Sequence, residues 1–494
     1  MNRQIRQLAA GFMALYISLF VALNYWQVER QEDLNSRVDN TRQILREFNQ
    51  PRGPIITADG MVVADSVAAP AASEYDFQRR YPTADLFANV TGYYSISYGA
   101  TQLEKSHSDV LVGATGRQRV LGLGELVGGQ GDNSGTVRLT MRSDLQQVAK
   151  DALGEREGSV VVIEIETGAV AALWSYPSYD PNPISALDFE SAGDVLTFLQ
   201  ESPGDPLLAN AYQQRYMPGS TFKVLTTGIA LEAGRINTRT KFPTEVEWVP
   251  PQTDNPIANF ESTPCGGDLP EVFARSCNIP FARTAVDLGP AAMVSGVQEW
   301  GIGEEIPIDL PRPVASTFGS SDNLDQALAL LAMRGFGGNE VQMVPLHMAM
   351  VAATVANGGE MMKPYVVDAS IDHSGRVLER TEPEVWKRPI SPENALILNS
   401  LMQGVATRGT ASCCIALAGG IPVAAKTGTA QLNDTGEPER SHAWIVAFAP
   451  ANEPRYAVAV MLKGTNAEIS SSTGGRLAGP IAKTVLDAAM AIPA

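Results

Sequence analysis

Histidine and cysteine are both scarce in this chain of 494 residues, which has four of each. The histidines do not cluster and the cysteines form no C-x-x-C pair, so the ligand pattern of a zinc site is missing. A G-x-S-x-G elbow is also missing, and no Ser-His-Asp set can be assembled from so few histidines. We therefore expect no metal, no cofactor and no histidine-dependent hydrolase.

Basic residues are outnumbered as well. The chain carries 37 Lys and Arg against 54 Asp and Glu, which gives a net charge of −17. A polyanion is repelled by such a surface, and no basic run interrupts the acidic balance. Nucleic acid is thus excluded as an expected partner.

Only one apolar run is long enough to span a bilayer, and it lies at residues 8–26. A spanning helix needs about 20 such residues. Arg3 and Arg6 precede the run and favour a cytoplasmic N-terminus. The alternative is a cleaved secretory signal, but no small-x-small site follows the run. We expect a single-pass membrane protein whose remaining chain lies on the extracytoplasmic side.

The cysteines on this topology face an oxidising compartment, and four of them allow three pairings. The sequence does not choose among these pairings. A bridge between Cys265 and Cys277 is geometrically plausible and would brace the loop before Ser276. The adjacent residues Cys413 and Cys414 are expected to be core residues rather than a vicinal disulfide.

Three short motifs follow one another along the chain, and their order is typical of a serine acyl-transferase that penicillin inactivates. The chain has one S-x-x-K motif and one K-T-G motif, whereas S-x-N occurs twice. The copy at Ser321-Asp322-Asn323 lies in a polar, turn-like segment, so we prefer the apolar-flanked copy at Ser276. The three motifs are Ser220-Thr221-Phe222-Lys223, Ser276-Cys277-Asn278 and Lys426-Thr427-Gly428-Thr429.

The first motif supplies a nucleophile and a base. A proline and a glycine precede Ser220, which predicts that Ser220 lies at the N-terminus of a helix starting near Thr221. Lys223 would lie one turn along the same face. A lysine amine can take the serine proton once burial and a nearby positive charge lower its pKa, and Lys426 could supply that charge.

The second motif supplies a proton relay and a substrate contact. Ser276 would pass a proton between Lys223 and the leaving amine. Asn278 would hydrogen-bond the peptide backbone of the substrate. Serine and asparagine are also common helix caps, so a purely structural role is the alternative for both.

The third motif would bind the end of the substrate. Lys426 and the hydroxyls of Thr427 and Thr429 are suited to a terminal carboxylate. Gly428 would let a substrate strand approach the backbone. The backbone N–H groups of Ser220 and Thr429 are candidates for the oxyanion hole.

The distribution of strands predicts the domain organisation. Residues 28–145 are polar and turn-rich, whereas β-branched runs near both ends of the remaining chain enclose a helical middle. We expect a cytoplasmic stub and membrane anchor at 1–27, a pedestal domain at 28–145 and one α+β domain at 146–494. The predicted strands are at 158–165, 169–174, 441–449 and 456–462.

With these motifs the chain resembles the class B penicillin-binding proteins, single-pass D,D-transpeptidases that cross-link bacterial peptidoglycan. Its compact size is similar to the actinobacterial penicillin-binding protein A group. Further matching segments are Arg52-Gly53-Pro54-Ile55, Asp59-Gly60, Tyr176-Pro177-Ser178-Tyr179-Asp180-Pro181-Asn182 and Gly474-Gly475-Arg476.

The resemblance implies a five-stranded antiparallel sheet between helical layers, on a dimerisation-like pedestal. It implies stem peptides ending in D-Ala-D-Ala as substrates, acylation of Ser220 with release of D-Ala, and inhibition by β-lactam antibiotics. The anchor and pedestal are expected to contact a polytopic glycan-polymerising glycosyltransferase. Division and elongation roles both stay open.

One loop departs from the family. Phe336-Gly337-Gly338-Asn339-Glu340 stands where the family has a G-Q-G type turn. Two alternatives to transpeptidation remain. Water as acceptor would make the chain a D,D-carboxypeptidase or a β-lactamase, and loss of catalysis would make it a cell-wall scaffold or a β-lactam sensor.

Overall fold

The computed structural model describes residues 2–26, 49–71, 73–116, 118, 133–432 and 440–493. It divides into two compact units, Met1–Pro51 with Ser66–Gln78, and Arg52–Asp65 with Arg79–Ala494. Two parts of the expected pedestal, residues 28–48 and 119–132, lie outside the described residues. The domain boundaries at residues 27 and 145 stay a prediction.

The strands range from two residues in β1 to nine residues in β18. Numbered in chain order, they are β1 Ile55–Ile56, β2 Val62–Ala68, β3 Phe77–Arg80, β4 Tyr94–Ser95, β5 Gly99–Ala100, β6 Thr136–Leu139, β7 Gly158–Glu164, β8 Val170–Tyr176, β9 Lys241–Glu245, β10 Glu247–Trp248, β11 Ile257–Ala258, β12 Cys265–Asp268, β13 Met361–Met362, β14 Val367–Ile371, β15 Val377–Arg380, β16 Val385–Lys387, β17 Ala424–Gln431, β18 Ser441–Ala449 and β19 Tyr456–Leu462.

The α-helices are numbered in the same way. They are α1 Asn2–Asn24, α2 Ala88–Thr91, α3 Gln102–Ser106, α4 Ser108–Leu111, α5 Ser143–Leu153, α6 Phe189–Glu201, α7 Lys223–Glu232, α8 Leu269–Ala274, α9 Ile279–Leu288, α10 Pro290–Glu299, α11 Leu328–Arg334, α12 Pro345–Ala356, α13 Pro392–Arg408, α14 Ala467–Ser470 and α15 Gly474–Ala491.

Helix α1 coincides with the expected anchor. Its side chains are exposed from Arg3 to Asn24. It is the one helix, in the part of the chain that the structure describes, with the length and apolar composition to cross a membrane. Length and composition therefore agree with the sequence analysis.

The core of the larger unit is an antiparallel sheet in the order β17-β18-β19-β7-β8. Every residue of β18 and β19 is buried. Helix α15 packs against β18, and α12 packs against β19. The predicted five-stranded sheet between helices is confirmed. Among the described residues, β17, which carries the K-T-G motif, is an edge strand of this sheet.

A second sheet combines distant parts of the sequence, in the order β15-β14-β6-β1-β2-β3. Strand β6 pairs in parallel with β1 and antiparallel with β14. An ion pair of 2.6 Å between Arg138 and Asp368 joins β6 to β14. Residues near position 370 thus complete a sheet that begins near position 55.

A buried charge cluster lies beside this sheet. Glu104 has no exposed surface, and its carboxylate accepts from Arg52 Nε at 2.6 Å and from Arg79 Nε at 2.7 Å. The Tyr81 hydroxyl donates to the same carboxylate at 3.2 Å. Burial alone would raise the pKa of Glu104, but Arg79 and Arg52 outweigh burial and lower it. The carboxylate is therefore charged inside the fold.

The four cysteines form two disulfides. Cys265 bonds to Cys277, the pairing considered plausible from sequence. Cys413 bonds to Cys414, so the expectation of two core cysteines is wrong. Cys413 is exposed and Cys414 is half-buried, because the chain turns at the surface directly after α13.

Candidate active site

The nucleophile motif lies in a tight turn followed by a helix. A 3₁₀ turn covers Gly219–Phe222, and α7 begins at Lys223, later than the sequence predicted. The Thr221 hydroxyl donates to the Pro218 carbonyl at 2.9 Å and fixes the turn. Ser220 is half-buried, and its Oγ lies 2.8 Å from Lys223 Nζ.

The S-x-N motif surrounds the same amine with acceptors. Lys223 Nζ donates to the Ser276 carbonyl at 2.7 Å and to Asn278 Oδ1 at 2.8 Å. The Ser276 hydroxyl lies 3.4 Å from Nζ. Ser276 has a φ of +59°, a left-handed conformation that directs both its carbonyl and its hydroxyl toward the amine.

The K-T-G lysine completes a line of contacts. Lys426 Nζ donates to Ser276 Oγ at 2.8 Å and to the Thr427 carbonyl at 2.9 Å. Side chains from three separate segments therefore connect in the order Ser220, Lys223, Ser276 and Lys426. A proton can pass along this line without a histidine.

Both lysines are fully buried, and aromatic rings surround them. Lys223 Nζ lies 5.5 Å from the Phe281 ring centre and 6.0 Å from that of Phe336, and Lys426 Nζ lies 5.8 Å from that of Phe273. Burial, and then the charge of Lys426, lower the pKa of Lys223 well below its ordinary value. Burial lowers the pKa of Lys426 to about 7. The site thus favours a neutral Lys223 amine, which is the form that can accept a proton.

Gly428 performs a structural task that the sequence did not reveal. A Cβ at this position would lie 2.6 Å from the Pro218 carbonyl oxygen and 2.9 Å from Thr221 Cγ2. The space that glycine leaves is occupied by the nucleophile turn. Glycine is required here because β17 packs against that turn.

The two threonines of this motif have partners within the protein. The hydroxyls of Thr427 and Thr410 lie 2.5 Å apart. Thr429 Oγ1 accepts from the Gly474 N–H at 3.3 Å, and the side chain of Thr429 is half-buried. Thr410 is not recognisable from the sequence, because a Gly-Thr-Ala segment after a helix carries no chemical signal of its own.

The atypical loop contacts the nucleophile turn. The Gly337 carbonyl accepts from the Gly219 N–H at 3.1 Å. The buried Arg334 pairs with Glu340 at 2.6 Å and holds the two ends of the loop together. The loop also brings Phe336 to Lys223, so it closes one side of the site although its sequence departs from the family.

The remaining sequence candidates stay apart from this site. Ser321, Asp322 and Asn323 form an exposed turn, as expected for the rejected S-x-N copy. His442 accepts from the Gly464 N–H through Nδ1 at 3.0 Å, and burial lowers its pKa to about 4. His442 is therefore a neutral structural histidine.

Comparison with known proteins gives two family matches. The family described as "Penicillin binding protein transpeptidase domain" matches residues 158–487. The family described as "Penicillin binding protein A dimerisation domain" matches residues 52–137. The first match contains all of the site residues described above.

Individual relatives are similar over nearly their whole length. The peptidoglycan D,D-transpeptidase PbpA of Mycolicibacterium smegmatis is 35% identical over 500 residues, 99% of each chain. The ceftriaxone acyl-enzyme complex of Mycobacterium tuberculosis penicillin-binding protein A superposes with a TM-score of 0.83 at 33% identity, covering 90% of this chain and 100% of that one. Its penicillin G acyl-enzyme complex gives a TM-score of 0.80 at 33% identity, with coverage of 89% and 100%.

Proposed function

Because the chain belongs to the penicillin-binding protein transpeptidases, we propose that Ser220 is its nucleophile and Lys223 its general base. The protein is a serine-type peptidoglycan D,D-transpeptidase that β-lactams acylate. The observation that carries the residue assignment is the line of contacts from Ser220 through Lys223 and Ser276 to Lys426. The depressed pKa of Lys223 supports its role as the base.

In the acylation step, Ser220 Oγ attacks the carbonyl carbon of the penultimate D-Ala while Lys223 takes the hydroxyl proton. The backbone N–H groups of Ser220 and Thr429 stabilise the resulting oxyanion, and one such donor is typically worth about 10²–10³ in rate. The peptide C–N bond then breaks. Lys223 returns the proton through Ser276 to the leaving D-Ala amine, and the stem is left as an ester on Ser220.

In the deacylation step, an amine of a second stem attacks the ester carbonyl. Lys223 accepts a proton from that amine and returns it to Ser220 Oγ as the ester bond breaks. The products are a cross-linking amide and a free serine. Water in place of the amine would give a D,D-carboxypeptidase or a β-lactamase by the same steps.

The substrate is bound by groups on both sides of the serine. We assign the terminal carboxylate to Lys426 with Thr427 and Thr429, and the stem backbone to Asn278. Gly428 contributes by letting β17 lie against the nucleophile turn. A β-lactam carries a carboxylate and a strained amide, so it would react at the same positions and leave an adduct on Ser220.

The anchor and pedestal extend the proposal to the membrane. Helix α1 would cross the bilayer once, with Arg3 and Arg6 on the cytoplasmic side and the catalytic part of the chain outside. Residues 28–145 would form the pedestal and 146–494 the transpeptidase domain. The expected partner of anchor and pedestal is a polytopic glycosyltransferase that polymerises glycan strands.

The test is the intact mass of the full-length protein in detergent, before and after penicillin G. We expect one covalent adduct on the natural protein, none on Ser220→Ala and one on Ser321→Ala, the matched control in the second S-x-N motif. An adduct on folded Ser220→Ala would disprove the nucleophile assignment. Rapid loss of the adduct with turnover of penicillin would favour the hydrolase, and a folded natural protein without an adduct would favour the scaffold.

A further inference from the structure

Asn278 occupies the N-cap position of α9 without capping it. An N-cap asparagine ordinarily accepts from the free N–H groups of the first helical turn through its side-chain oxygen. Here no such bond forms, because Asn278 Oδ1 accepts from Lys223 Nζ at 2.8 Å. The catalytic contact therefore removes the side chain from its usual structural task.

A second asparagine binds the backbone at this helix end. Asn259 Oδ1 accepts from the Asn278 N–H at 2.9 Å and from the Ile279 N–H at 3.2 Å. Its Nδ2 donates to the Glu245 carbonyl at 2.8 Å. Asn259 is 4% exposed, and both Oδ1 and Nδ2 of its side chain are hydrogen-bonded within the protein.

Two further contacts hold the start of α9, one from the residue before Asn259 and one from Glu245 on β9, to which Asn259 is bonded. Asn278 Nδ2 donates to the Ala258 carbonyl at 3.0 Å. The Glu245 carboxylate pairs with Arg283 on α9 at 2.8 Å. Both the backbone and the side chain of Asn278 are thus held by residues 258 and 259.

We propose that Asn259 is a positioning residue for acylation, which holds the start of α9 so that the Asn278 side chain stays on Lys223. The proposal rests on the proposed function and adds to it a residue outside the three motifs. Without Asn259, the N–H groups of Asn278 and Ile279 lose their acceptor. The Asn278 side chain could then turn back toward its own helix, since asparagine is among the preferred N-caps.

This reorientation of the Asn278 side chain would break its hydrogen bond to Lys223 Nζ, one of the contacts that hold Lys223 beside Ser220. A displacement of about 1 Å in a catalytic group can lower the rate of reaction about 10²-fold. Asn259 hydrogen-bonds to Asn278, Ile279 and Glu245 and to neither Lys223 nor Ser220, so the proposal requires that its effect on acylation pass through the Asn278 side chain. That requirement makes the proposal testable by a pair of substitutions.

The measurement is the second-order rate constant for acylation of the full-length protein by penicillin G. We expect Asn259→Ala to lower it about 10- to 100-fold and Asn259→Asp, which keeps the acceptor oxygen, to restore it to within about threefold. In an Asn278→Ala background, Asn259→Ala is expected to have no further effect on the rate. Asn399→Ala is the matched control, since Asn399 is also a buried amide, bonded to the Ala451 carbonyl on another part of the fold.

Three results would overturn the proposal. They are an unchanged rate in folded Asn259→Ala, an equal loss in Asn399→Ala, and a loss in Asn259→Ala that persists in full when Asn278 is alanine. If Asn259→Ala does not fold, Asn259→Ser is measured in its place. We expect Asn259→Ser to lower the acylation rate by an intermediate factor. An unchanged acylation rate in Asn259→Ser counts against the proposal. Acylation of the natural protein on Ser220 tests the proposed function separately, so the two can fail independently.

Discussion

Two groups of buried charged side chains in the larger unit differ in whether their charges are paired. In the pedestal cluster, one carboxylate, Glu104, is bonded by two arginines and by a tyrosine hydroxyl. In the active site, Lys223 and Lys426 are equally buried, and neither forms an ion pair within the part of the chain that the structure describes. The charged side chains are buried in both groups, but only the carboxylate of the pedestal cluster has partners of opposite charge.

The difference determines the protonation state. An isolated buried charge is costly, and an opposite charge with good hydrogen bonds can offset that cost. In the pedestal the arginines lower the pKa of Glu104, so the cluster stays charged. In the active site nothing offsets burial, and each lysine is driven toward its neutral form. The paired charges of the pedestal cluster stabilise the fold. The unpaired lysines of the active site lower its stability, and they provide a reactive amine.

Removing the active-site base is the strongest way to test this contrast. Lys223→Met should lower the rate of acylation by penicillin about 10²–10⁴-fold, because the serine loses the group that takes its proton. Circular dichroism and thermal unfolding should show a folded protein. Lys105→Met, at an exposed position on α3, should acylate at the natural rate. A Lys223→Met protein that acylates normally would remove Lys223 from the mechanism.

Removing the central charge of the pedestal should have the opposite consequence. Glu104→Gln leaves the two arginines without their carboxylate and should destabilise the fold by about 3–5 kcal/mol. The acylation rate of the remaining folded protein should be unchanged. Asp65→Asn, which breaks the more exposed pair with Arg80, is the control and should cost about 0–1 kcal/mol. Stability is measured by urea unfolding. An equal loss of unfolding free energy in Glu104→Gln and Asp65→Asn would show that the buried cluster contributes no more than the exposed pair.

The loss of folding stability in Glu104→Gln should depend on pH in a defined direction. Because the folded pKa of Glu104 lies below its ordinary 4.5, its contribution to stability is complete above pH 4.5. The contribution disappears as the pH falls through the lowered folded pKa. The difference in unfolding free energy between the natural protein and Glu104→Gln should therefore shrink in acid.

The smallest effect is expected from the second lysine. Lys426→Met should stabilise the fold by about 0.5–2 kcal/mol at pH 7 while it impairs acylation. The folded pKa is about 7 and the ordinary value is 10.5, so the unfolded chain binds more protons between these two pH values. The natural protein should therefore gain stability as the pH rises through this window, and the advantage of the methionine variant should decline. An advantage that grows with pH would show that burial does not lower the pKa of Lys426.

The sequence predicted those parts of the molecule whose residues act through their own chemistry. Ser220, Lys223, Ser276 and Lys426 were recognisable because a nucleophile, a base and a relay require particular side chains at particular spacings. Four strands of the central sheet were recognisable because they are continuous apolar runs. The five-stranded antiparallel arrangement was implied by the family resemblance.

Features that arise from packing left no such pattern. Asn259 is an ordinary polar residue in a loop, and its role depends on where folding brings the start of α9. The packing role of Gly428 was not visible in the sequence, because the Pro218 carbonyl that fills its space comes from another motif. The Cys413–Cys414 bridge was rejected because adjacent cysteines were expected in the core, whereas the chain turns there at the surface.

The insertion of β14 into the N-terminal sheet also affects how the chain is made. Arg138 on β6 and its partner Asp368 on β14 are 230 positions apart, so a nascent chain that emerges N-terminus first presents β6 long before its neighbour exists. During that interval one side of β6 offers unpaired N–H and C=O groups to any passing strand. Such long-range pairing also slows folding. A polypeptide that stops near residue 145 would retain this open edge permanently, so the N-terminal sheet is completed only with the help of the catalytic half of the chain.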